Sequence, residues 1–78
     1  MIVEVRRIGV FVELIEFPIR GLVKLDDFPE GDFLFDGLAM RFYSRRPRYN
    51  YQTGTRVLVA PVRVDRARRF VDFRMVVP

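Results

Sequence analysis

Residues 54–77, GTRVLVAPVRVDRARRFVDFRMVV, decide the fold. Two runs rich in valine and phenylalanine flank Asp65-Arg66-Ala67-Arg68-Arg69. β-Branched and aromatic residues suit a pleated, half-buried surface, and Asp favours turns, so the segment predicts a hairpin. Its first arm, Arg56 to Asp65, reads as the longest strand. The alternation of that arm slips: Val57 and Val59 share one phase, Val62 and Val64 the other, with Pro61 at the change. Proline cannot donate to a ladder, so a bulge or edge is expected there. In the second arm Val71, Phe73 and Met75 occupy one face, and Phe70, Asp72 and Arg74 the other.

Upstream, alternation again dominates and helical periodicity is nearly absent. Ile2–Arg7 predicts a first strand. Val10, Val12 and Leu14, alternating with Phe11 and Glu13, predict a second, with a bend or bulge at Gly9. Pro18 breaks the loop IEFPIR, and Gly21–Leu25 predicts a third strand. Asp26 to Gly31 is turn chemistry. DFLFD and AMRFYS predict a small hairpin about Gly37, and Arg45–Thr53 a polar connection closed by Gly54. The expectation is all-β: a five-stranded Greek-key OB-fold barrel with a small hairpin inserted after strand three.

Composition limits the chemistry. The 78 residues contain no cysteine and no histidine, so disulfides, thiolate metal sites and imidazole bases are excluded. So small a domain has little room for an enclosed active site. No apolar run approaches a membrane span, and no secretory signal precedes the first strand. That strand begins almost without lead-in, so the chain is expected to be part of a longer protein, monomeric and cytoplasmic. Asp26, Asp27, Glu30, Asp32 and Asp36 do not follow the spacing of a calcium loop; turn and solvating roles are expected. No catalytic constellation is present.

The net charge of +4 is unevenly placed. Residues 1–40 carry four bases against eight acids; residues 41–78 carry ten arginines against two acids. Arginine's planar fork matches phosphate and stacks on bases. A GC-rich genome would also write arginine for lysine, but it would not place the charge in one half. A polyanionic partner is expected.

Phe11 lies opposite Val10, Val12 and Leu14, so it is expected outside, as a platform for an unpaired base, or else packed under the loop after Leu14. Phe70 is also out of phase with its core face; it either serves the binding surface, or covers a barrel edge, or packs on Tyr49 or Tyr51. Arg63, Arg66, Arg68 and Arg69 are candidate phosphate contacts, with Asp65 orienting an arginine, accepting a sugar or base hydrogen bond, or simply shaping the turn. Tyr43, Arg45, Arg46, Arg48, Tyr49 and Tyr51 form a second basic-aromatic patch, for RNA or for a partner domain, or else a solvated loop.

IGVFVEL at 8–14 followed by RGLVKL at 20–25 resembles the S1 RNA-binding domain, an OB-fold barrel. PEGDFLFD at 29–36, YQTGTRV at 51–57 and VRVDRARRFVDF at 62–73 are similar to the C-terminal S1 domain of the ribonuclease R and ribonuclease II family. The resemblance spans nearly the whole chain. It implies RNA contacts at Phe11, Asp65 and Arg69, with Ile8 and Lys24 at positions where the family carries an aromatic and a histidine. It therefore implies weaker base stacking and more phosphate attraction. It further implies a parent 3′-to-5′ exoribonuclease whose magnesium-dependent catalytic domain, with a cold-shock domain, lies elsewhere. This domain would hold no cofactor and would grip single-stranded RNA with little sequence preference. The competing expectation is an interdomain or protein-interaction module that uses the tyrosine-arginine loop and the acidic 26–36 segment.

Overall fold

The computed structural model describes residues 1–45 and 48–76. β1 (Ile2–Arg6), β2 (Gly9–Glu13) and β3 (Arg20–Lys24) form an antiparallel meander. A 3-10 turn over Leu25–Asp27 follows, then β4 (Leu34–Asp36), β5 (Arg41–Arg45), β6 (Arg48–Tyr51), β7 (Leu58–Asp65) and β8 (Phe70–Val76). One sheet has the order β1-β2-β3-β8-β7, in which β3 and β8 run parallel; the other has the order β4-β5-β6. Among the described residues there is no α-helix.

The all-β reading and the position of the β7–β8 hairpin match this architecture; the strand count does not. Arg48–Tyr51, expected within a connection, is a strand, so the insertion is a three-stranded sheet rather than a hairpin. Its four residues alternate outward and inward, and a polar alternation of that length resembles a loop in sequence. No ladder joins β7 to β1 among the described residues. Instead Ile2 N–H donates to Thr55 O and Gly54 N–H donates to Ile2 O, at 2.9 and 2.8 Å, tying the first strand to the segment before β7.

Register shifts at Val3 in β1 and at Val62 in β7. The second lies beside Pro61, where a missing N–H already interrupts the ladder. Val62 and Val64, however, are exposed: the far part of β7 projects beyond the core. Gly9 is not a bulge. It sits where a Cβ would run into the Val23 carbonyl, so glycine there permits close strand approach. Gly21 does the same at the β3–β8 junction, where a Cβ would meet Val71 O and the Phe73 ring.

The core joins both sheets. Ile2, Val5, Val10, Val12, Val23, Phe73 and Met75 come from the large sheet, and Phe42 and Tyr51 from the small one. Phe28, in the segment read as a turn, is buried between them. Its ring packs edge-on against Phe33, Phe42 and Tyr51, with centroids 5.2, 5.0 and 5.6 Å away. Each such pair adds roughly 0.5–1.5 kcal/mol beyond the area it buries. This aromatic cluster fixes the inserted sheet against the rest of the molecule.

Candidate nucleic-acid interface

Successive residues of a strand face opposite sides, and paired residues share a side. The register therefore generates an outer face on the large sheet. Its central row runs Glu4, Phe11, Leu22, Asp72 and Arg63 across β1, β2, β3, β8 and β7. Toward one end Gly9 pairs with Lys24, and Arg74 stands two residues beyond Asp72 on the same side of β8. Toward the other end Glu13 pairs with Arg20, and Phe70 pairs with Asp65 at the root of the arginine-rich turn.

Phe11 is on this face and half-buried, not in the core. Its ring partner is Phe70: the two rings meet edge to face at 6.5 Å and 70°. They approach each other across β3, which accounts for the burial of Leu22 on an otherwise exposed side. Each ring keeps part of its surface in solvent, so the pair is a preformed apolar step in the middle of a charged sheet.

Ile8 is 60% exposed in the β1–β2 turn, and its carbonyl accepts the Leu25 N–H at 3.1 Å. That bond holds the turn against the end of β3, where Lys24 is exposed. Arg63 is exposed opposite Asp72. Arg66 and Arg69 are exposed in the β7–β8 turn. Lys24, Arg63, Arg66, Arg69 and Arg74 enter no ion pair among the described residues. By contrast, Glu4 is held by Arg6 at 2.7 Å and Glu13 by Arg20 at 2.6 Å, so two carboxylates of the face are already neutralised. Arg74 was absent from the sequence-derived set, although its alternation with Phe70 and Asp72 places it here.

Asp65 shapes the turn: its Oδ1 accepts the Arg68 N–H at 3.1 Å, and its Oδ2 lies 3.8 Å from Arg68 Nε. Arg69 closes the turn with φ of 53°, the left-handed region that disfavours a side chain.

The second patch divides. Tyr49 faces inward, stacked on Phe33 and Tyr51, and Tyr51 is core. Burial, with the neighbouring Tyr49 as the smaller cause, pushes the Tyr51 hydroxyl up to about 12. Tyr43, Arg45 and Arg48 lie on the opposite, outer side of the small sheet, and Arg46 lies outside the described residues. In the acidic segment Asp36 accepts N–H groups from Ala39 and Leu38, each at 3.1 Å, and pairs with Arg41 at 3.5 Å. Those bonds, the one from Ala39 foremost, lower its pKa against a smaller opposing effect of burial. Among the described residues no three Asp, Glu, His or Cys side chains converge as metal ligands, and no helix is long and apolar enough to cross a membrane.

No family model matches the chain. Ribonuclease R of Aquifex aeolicus (strain VF5) is 34% identical over 68 residues, covering 87% of this chain and 10% of that protein. The chain is a small domain related to ribonuclease R. Two structures of Mycoplasma genitalium RNase R share its fold at 21% identity, each matching 96% of this chain and 12% of theirs. The apo form has a TM-score of 0.83 and the complex with ribose methylated single-stranded RNA one of 0.82. The chain thus spans about a tenth of the length of these relatives.

Proposed function

We propose that this domain grips single-stranded RNA on the outer face of its large sheet, as an S1-type OB-fold module of a ribonuclease R-like 3′-to-5′ exoribonuclease. The observation that carries the reading is the Phe11–Phe70 step, half-exposed on a face whose unpaired charges are all cationic apart from Asp72 opposite Arg63. Bases stack on the rings, Ile8 adds an apolar shoulder, and Lys24, Arg63, Arg66, Arg69 and Arg74 attract phosphates. Asp65 acts indirectly, by holding the turn that presents Arg69. Base edges meet few fixed donors and acceptors on such a surface, so sequence preference is low. The strand order, the parallel β3–β8 pair and the Ile2 bonds to Gly54 and Thr55 support an OB barrel whose seam is closed by two hydrogen bonds.

In this reading, hydrolysis and its magnesium belong to a separate catalytic domain of a cytoplasmic parent enzyme. The present domain supplies grip alone, and as an isolated chain it is monomeric.

Titration with a short oligo-U at several salt concentrations tests the proposal. The log–log slope should be about −0.7 for each phosphate neutralised. Phe11→Ala should weaken binding by about 1–3 kcal/mol. A slope near zero, or wild-type affinity in Phe11→Ala, rejects this mode of binding.

A further inference from the structure

The outer side of the small sheet carries a feature that folding does not require. Arg45 on β5 stands directly opposite Arg48 on β6. Directly opposed residues in an antiparallel pair lie about 4.5–5.5 Å apart at Cβ, where like charges are destabilising. Both arginines are exposed, and neither enters an ion pair among the described residues. Asp36, on that side of β4, pairs with Arg41 at the other end of the ladder and already holds its own turn. The pair thus presents two guanidinium forks without an ion-pair partner among the described residues.

Next along the strands, Tyr43 faces Asn50 in the same ladder. Arg41 orients both: its guanidinium lies 4.6 Å from the Tyr43 ring centroid, and its Nη1 donates to Asn50 Oδ1 at 2.9 Å. That bond occupies the amide oxygen of Asn50 and leaves its NH2 group as the donor. Tyr43, Arg45, Arg48 and Asn50 line one concavity of about 500 Å3, within the range of small-ligand sites.

We propose that this concavity is a second nucleotide-binding site. A backbone phosphate bridges Arg45 and Arg48, and a base lies against Tyr43 with its edge toward Asn50. The proposal rests on the RNA-binding reading for its ligand class, but it uses a different sheet and shares no residue with the Phe11 face. It makes the domain a two-point clamp: a strand long enough to reach both sites gains through effective concentration, whereas a short one does not.

The test is an amide chemical-shift titration of the whole chain with oligo-U of about 5 and about 16 nucleotides, bracketing the usual site sizes of OB domains. Affinities are measured for wild type, Phe11→Ala and the double variant Arg45→Gln/Arg48→Gln. The long oligomer should shift the amides of Tyr43, Arg45, Arg48 and Asn50, and should still do so in Phe11→Ala. The double variant should bind the long oligomer about tenfold or more weaker, with a salt slope shallower by about 0.7, and the short oligomer unchanged. It should unfold at no lower a temperature, because it removes a repulsive pair. Unmoved patch amides at saturating RNA, or an unchanged salt slope, overturn the proposal and leave the patch to a protein partner. Loss of response at Phe11 and Leu22 alone counts against the large-sheet reading and leaves this one standing.

Discussion

Among the described residues, two non-glycine residues carry backbone strain. Met40 and Arg69 adopt φ of 52° and 53°, and each ends a four-residue turn that follows an aspartate. Asp36 and Asp65 anchor the two turns by accepting backbone N–H groups, so the same chemistry is built twice. A left-handed residue with a side chain costs about 1–2 kcal/mol. Met40→Gly should therefore raise stability by up to about 1 kcal/mol in urea denaturation, with RNA affinity unchanged. Arg69→Asn should raise stability by a similar amount while weakening RNA binding. Opposite signs in the two assays would identify Arg69 as a position where strain is kept for its charge; equal affinity would reduce it to a turn residue. The aspartates were legible as turn formers. The left-handed conformations were not, because glycine or asparagine would have marked them.

At the level of elements, two contacts govern assembly. Gly21 lets β3 and β8 approach, and they form the sheet's parallel junction. Gly21→Ala forces a methyl into the Val71 carbonyl and the Phe73 ring. A loss of about 3 kcal/mol or more is expected, measured as a lower urea midpoint. Phe28 packs the small sheet onto the large one, so Phe28→Ala should cost about 3–5 kcal/mol. That variant should also release the stacked tyrosines, visible as a loss of near-ultraviolet dichroism. An unaltered dichroism spectrum would show that the small sheet is held by other contacts. Phe28 was hidden in sequence because its neighbours, Asp26, Asp27, Pro29, Glu30 and Gly31, all signal turn; one buried ring among them has no periodicity to report it.

For the whole molecule, pH dependence follows from Tyr51, which joins the small sheet to the core. Its folded-state pKa, raised from 10.0 to about 12, means that the unfolded chain loses the proton first as pH climbs. The stabilisation is complete below pH 10 and disappears as pH rises toward 12. Thermal unfolding should therefore fall steeply in that window, and Tyr51→Phe should flatten the fall. An equal fall in the variant would assign the alkaline sensitivity to other groups.

Sequence by itself determined the strand character, the β7–β8 hairpin, the break at Pro61 and the outward phase of Phe11. These depend on alternation and on the stereochemistry of single residues, which are local properties. Tertiary structure decided which outward residues share a surface. The parallel β3–β8 pairing set Asp72 and Arg63 in line with Phe11 and brought Phe70 to its ring, while the small sheet turned Tyr49 inward and left Tyr43 outside. Pairing between distant strands is chosen by the burial of a common core, and that energy belongs to no single segment of the chain.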